Sequence, residues 1–241
     1  MMVLAVESAT ELAGVALADE AGVLATATVS RGRHHAESIV PAVDFVCGRA
    51  GVALSDVDAV VVDVGPGLFT GLRVGVGSAK ALAFALGRPL VGVGSLEVLA
   101  QAVVGAGVPG GTLVVAVVDA RRGEVFAARF RARAGQAVPD GDEVRRSPEA
   151  LAEELSGLDE PVVVAGDGAR RHAAILGAIA GVVVAGEAHD HPSPSVLAAL
   201  GLARVAGGAG LDPGAVLPHY MRAADVRINW ERRARRVAPG A

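Results

Sequence analysis

Glycines carry the most chemistry in this chain. Gly65, Pro66, Gly67, Phe69, Thr70, Gly71, Arg73 and Gly75 form one run, with Leu68, Leu72 and Val74 between them, joining the strand-like stretch Asp58 to Val64 to a long apolar stretch. Glycine permits backbone angles and close approaches that a side chain forbids, Pro66 fixes one dihedral, and Thr70 is placed to cap the following helix. A tight strand-to-helix turn bares N–H groups at the positive end of a helix, which suits an anion; the same turn also serves to lock a helix onto a sheet, and spacing does not choose between the two. The run is not a Walker A loop, because Gly71 is followed by Leu72 and Arg73 rather than Lys and Ser or Thr. Nor is it a dinucleotide fingerprint, since Thr70 stands where the third glycine belongs. Ser78 and Ser95 each follow a glycine directly, so neither sits in a nucleophile elbow.

His34-His35-Ala36-Glu37 offers imidazoles and a carboxylate at a helix start, but Ser38 and Ile39 occupy the i+4 positions that a shared ligand face requires. His172, His189, His191 and His219 form no helical pair either, and no metal is expected. Asp44, Asp63 and Asp119 lie on helix faces and strand ends with no pairing visible. Asp119 and the Gly166-Asp167-Gly168 turn are placed to face a cleft between two halves.

Among the 241 residues, 52% are hydrophobic and 20% charged, which supplies a large core and excludes bulk disorder. Aromatics are only 3%, so that core must be Val, Ala and Leu packed around glycines, as suits parallel or mixed sheets under closely packed helices. A net charge of -4 argues against nucleic-acid binding by overall field. Cys47 is the single cysteine, excluding an intramolecular disulfide, and its neighbours Val43, Phe45 and Val46 place it in the core. With no leader pattern and no membrane-length apolar segment, a soluble, cytoplasmic protein is expected.

The elements that position these residues read as β-β-β-α-β-α-β-α and then a second restart. Val3–Val6, Ala13–Ala18 and Val23–Val29 form a meander. Ile39, Val40, Val43, Val46 and Cys47 recur at helical spacing from Ala36 to about Ala50, with Pro41 near the first turn. A helix over Thr70–Leu86, a strand at Leu90–Val93 and a helix from Ser95 to about Val104 complete the first half. Glycines between 105 and 111 mark the boundary. Beyond it come a hairpin, Leu113–Val118 and Glu124–Phe130, then a polar loop or edge over 135–146. Helices at Pro148–Ser156, Ala169–Ile179 and Ser195–Ala206 enclose strands at Val162–Ala165 and Val182–Ala185. The reading is a duplicated α/β plan with subdomains at 1–107 and 108–218 and an Arg-rich tail at 219–241. The Thr70–Leu86 helix is apolar around its whole circumference, whereas a helix covering one sheet should keep a wet face, so part of it is expected in a contact with another protein.

Taken together, Gly65-Pro-Gly-Leu-Phe-Thr-Gly-Leu-Arg-Val-Gly75 resembles the Gly-Pro-Gly-Ser-Phe-Thr-Gly-x-Arg-x-Gly motif of the bacterial TsaB (YeaZ) family. Glu7-Ser-Ala-Thr10, His35-Ala-Glu37 to Pro41, Gly92–Leu99, Asp119-Ala-Arg-Arg-Gly-Glu-Val125 and Pro218-His-Tyr-Met-Arg222 are similar to further family segments, in order. Leu68 replaces the usual serine and Glu7 the usual aspartate. The resemblance implies an actin-like, sugar-kinase-like ATPase (ASKHA) fold of two related subdomains, each a mixed sheet flanked by helices. It also implies a non-catalytic partner of a TsaD-like transferase that forms N6-threonylcarbamoyladenosine at tRNA position 37, with a TsaE-like ATPase joining the pair. Contact with tRNA is then indirect, and the chain alone is a candidate homodimer. The implied partner surface is the first two helices, assigned to Ile39, Val43, Val46, Leu72, Val74, Val76, Ala79 and Ala83. Glu7, Asp119 and Asp167 are candidates for a vestigial nucleotide cleft. No cofactor is assigned to the chain itself, with ATP and magnesium as candidates at the partner contact. The alternative is an independent nucleotide-dependent kinase or hydrolase using Glu7, Asp119 and the Gly65 loop.

Overall fold

The computed structural model describes residues 1–30 and 35–221; His34 and the Arg-rich segment from Arg222 onward lie outside the described residues. Strands β1 (Met2–Glu7), β2 (Ala13–Asp19) and β3 (Gly22–Val29) form an antiparallel meander, and β4 (Ala59–Gly65) and β5 (Leu90–Gly94) extend the sheet in parallel in the order β3-β2-β1-β4-β5. The second sheet repeats the plan with β6 (Leu113–Arg121), β7 (Glu124–Arg133), β8 (Gln136–Pro139), β10 (Val162–Ala165) and β11 (Val182–Val184), in the order β8-β7-β6-β10-β11. A short strand, β9 (Val144–Arg146), also pairs with β7, so the polar stretch over 135–146 supplies edge strands.

Strand periodicity assigns the faces. Leu4 and Val6 point to one side of the first sheet, with Ile39, Val43 and Val46 of α1 (His35–Ala50) and Val76, Ala79 and Ala83 of α2 (Phe69–Leu86). Val3 and Ala5 point to the other side, where Leu197 and Ala198 of α7 (Pro194–Ala206) cover them. In the second sheet, Val114, Ala116 and Val118 meet Leu96, Leu99 and Ala100 of α3 (Ser95–Gly105). Its opposite face carries α4 (Pro148–Ser156), α5 (Asp167–Arg171) and α6 (Ala173–Leu176).

The inner helices are therefore exchanged: α3 follows the first sheet but covers the second, while α7 follows the second and covers the first. Arg204 of α7 pins the pair by donating to Glu97 Oε1 of α3 at 2.7 Å. The strands of the two sheets are separate in sequence, but α3 and α7 each pack across from one half to the other. Three local differences also emerge. Pro41 lies well inside α1 rather than in its first turn. Val40 and Phe45 are 59% and 52% exposed, so neither is core. The helix expected over Ala169–Ile179 breaks at His172 into α5 and α6, because Gly168 must sit against the β6 backbone while Leu176 fills the core.

Candidate functional site

The glycine run packs α2 onto the β1–β2 turn. A Cβ on Gly67 would lie 2.2 Å from the Ala9 carbonyl oxygen, one on Gly71 2.1 Å from that of Ser8, and one on Gly75 2.1 Å from Ser8 Oγ. Those separations are far inside van der Waals contact, so this glycine stripe exists for close approach. Ser8 Oγ donates to the Gly71 carbonyl at 2.9 Å, and the Leu68 N–H donates to the Ala9 carbonyl at 2.7 Å. Thr70 is not the cap: the helix starts after Leu68, with no side-chain cap bond, and Thr70 is exposed in the first turn. Pro66 is buried, its peptide with Gly65 cis, and Gly65 takes φ +105°.

Two carboxyl groups are sealed beneath this loop. Glu7 and Asp63 are 0% and 1% exposed. The Ala9 N–H donates to Glu7 Oε1 at 2.8 Å; the Gly65 N–H and Ser95 Oγ donate to Asp63 Oδ1 at 2.7 and 2.6 Å. The remaining oxygens, Glu7 Oε2 and Asp63 Oδ2, have no hydrogen-bond partner among the described residues. Burial, reinforced by the Asp63 charge, holds the Glu7 carboxyl well above the usual carboxylate range. Burial raises Asp63 as well, while the bonds from Ser95 and Gly65 favour its ionised form. Burial therefore favours the protonated form of Glu7.

Asp119 and Asp167 do come together: the Asp119 N–H donates to Asp167 Oδ1 at 2.9 Å, and burial raises Asp167. The first half contributes Glu11, which sequence reasoning missed. Its Oε1 accepts from Arg121 Nη2 at 2.7 Å, while Arg121 Nη1 donates to Asp119 Oδ2 at 3.1 Å. The Arg121 guanidinium holds the Glu11 carboxyl below its ordinary value. Among the described residues no group of three or more His, Cys, Asp and Glu side chains could hold a metal.

The helix residues expected at a partner contact are mostly core. Ile39, Val43, Val46, Leu72, Val76, Ala79 and Ala83 are buried within the chain, and Val74 is half-buried. Outward, α1 presents Val40, Asp44, Phe45 and Arg49, and α2 presents Arg73, Gly77, Ala81, Phe84 and Ala85. Phe84 is 82% exposed. At the start of α2, Phe69 packs on Tyr220 with ring centroids 5.1 Å apart, and the Arg73 guanidinium lies 5.1 Å above the Phe69 ring. Lys80, the sole lysine, donates Nζ to the carbonyls of Gly214 and Val216 at 3.1 and 2.9 Å, tying α2 to the closing segment.

Two like-ordered mixed sheets with exchanged inner helices define the actin-like, sugar-kinase-like ATPase fold. A polyphosphate/ATP-glucomannokinase from Arthrobacter superposes with TM-score 0.50 at 17% identity, covering 84% of this chain and 98% of the kinase, a likeness of fold alone. A family model described as tRNA N6-adenosine threonylcarbamoyltransferase (TsaD) matches residues 22–144. The threonylcarbamoyladenosine biosynthesis protein TsaB of Bacillus subtilis is 32% identical over 235 residues, 95% of this chain and 98% of the relative. YeaZ from Pseudomonas aeruginosa superposes with TM-score 0.78 at 30% identity over 91% of this chain and 99% of that one. The chain belongs to the TsaB (YeaZ) family of threonylcarbamoyladenosine biosynthesis proteins. Among the described residues no helix is long and apolar enough to cross a membrane.

Proposed function

We propose that this chain is the non-catalytic scaffold subunit of a TsaD-type threonylcarbamoyltransferase, required for N6-threonylcarbamoyladenosine formation at tRNA position 37, and that α1 and α2 are its docking surface. The observation that carries this reading is the exposure of large apolar side chains on the outer helix pair: Val40, Phe45 and Phe84 are 59%, 52% and 82% exposed. Large apolar side chains left exposed on neighbouring helices support a contact with another protein. The buried residues first expected there hold the helices on the sheet; the exposed ones meet the partner. A TsaE-like ATPase joins the pair, tRNA contact is indirect, and without its partner the chain self-associates through the same helices. The complex works in the cytoplasm.

Reconstitution tests the role directly. With threonylcarbamoyl-adenylate, a TsaD-like and a TsaE-like protein supplied, modified tRNA is expected only when this chain is present. Equal product in its absence would remove the scaffold reading.

A further inference from the structure

Both ends of the four-residue turn Ser8-Ala9-Thr10-Glu11 make bonds outside their own sheet. Ser8 and Ala9 hold the first turn of α2, through Ser8 Oγ to the Gly71 carbonyl at 2.9 Å and the Ala9 carbonyl to the Leu68 N–H at 2.7 Å. Thr10 and Glu11 reach the second half: Thr10 Oγ1 lies 3.0 Å from His191 Nδ1, and Glu11 Oε1 accepts from Arg121 Nη2 at 2.7 Å.

Arg121 is built for that reach. It ends β6 at the hairpin to β7 with φ +61°, a left-handed conformation uncommon in a residue that bears a side chain. Its holders are Asp119 Oδ1, accepting the Arg121 N–H at 2.8 Å, and Asp119 Oδ2, accepting Nη1 at 3.1 Å. Asp119 is only 5% exposed, and a second guanidinium, that of Arg171, lies 3.4 Å from its Oδ2. One guanidinium therefore joins a nearly buried carboxylate of the second sheet to a carboxylate in the β1–β2 turn of the first half.

We infer that Arg121 clasps the end of β6 to the Ser8–Glu11 turn and, through that turn, fixes the first turn of α2 relative to the second half of the molecule. The clasp sets the position of the helix surface without touching it. This holds whatever docks on α1 and α2, since it concerns bonds inside the chain.

Native-state amide exchange followed by NMR on the full chain tests it, comparing Arg121→Ala, Glu11→Ala, the double variant and Arg131→Ala. Arg131 pairs with Asp140 and Glu160 in the second half and touches neither the turn nor α2. Loss of the clasp is expected to speed exchange of the Leu68 amide by about two- to fivefold, the factor an exposed ion pair supports. The double variant should be no faster than either single clasp variant, and Arg131→Ala should leave that amide unchanged. An unchanged Leu68 amide in folded Arg121→Ala and Glu11→Ala would overturn the inference. So would equal acceleration in Arg131→Ala, which would mean general loosening.

Discussion

Glu7 and Asp63 share a site where water cannot reach either carboxyl. The folded-state value of Glu7 lies above its ordinary 4.5, so the folded protein binds a proton that the unfolded chain releases. Stability from this group is full below 4.5 and declines as pH rises through the raised value. Glu7→Gln keeps an acceptor for the Ala9 N–H without an ionising group. Urea unfolding at pH 5 and pH 8 should therefore give a smaller loss of stability on alkalinisation for Glu7→Gln than for the parent. The loop glycines give a second test at this scale. Gly71→Ala forces a methyl onto the Ser8 carbonyl and should cost about 1–3 kcal/mol. Gly77→Ala meets nothing within 4 Å on the same helix and should gain up to about 1 kcal/mol. Thermal unfolding separates the pair. Little of this was legible in the sequence: the glycine spacing announced a special turn, but whether it held an anion or a neighbouring backbone depended on Ser8 and Ala9, sixty residues earlier.

For the elements, legibility was high wherever an apolar run ends at turn residues. The continuous runs Val3 to Val6 and Ala59 to Val64, covered on both faces, gave β1 and β4, because a short β-branched run bounded by turns is a local signal. The α2 helix was equally clear, yet its apolar circumference hid which residues are inside. The outer surface reads Arg73, Gly77, Ala81, Phe84 and Ala85, with small residues that let another helix come close. Phe84→Asp should therefore leave the thermal transition nearly unchanged and weaken pairing with a TsaD-like partner at least about tenfold. Burial of one Phe side chain is worth about 1.5–3 kcal/mol, and the added charge must also be desolvated. Val76→Asp, 2% exposed, buries an unpaired charge and should unfold the chain instead. Size-exclusion chromatography with light scattering checks both variants, and normal pairing by folded Phe84→Asp would move the contact elsewhere.

Across the whole molecule, periodicity assigns a helix a face but not a sheet, which is why the exchange of α3 and α7 had no sequence signal. The like order of the two sheets was visible as a repeated pattern of elements; the packing units were not. Gly201 illustrates the exchange, since a Cβ there would lie 2.3 Å from Val61 Cγ2 of the opposite half. Residues 1–107 made alone should accordingly fail to fold as a unit, with poor amide dispersion and dye binding to the face that Leu197 and Ala198 normally cover. The same feature bears on synthesis. A ribosome adds about 5–20 residues per second, and roughly a hundred residues separate the end of β5 from the start of α7. The inner apolar surface of the first sheet therefore waits on the order of 5–20 s for its cover, a window in which a nascent-chain chaperone has a defined surface to shield.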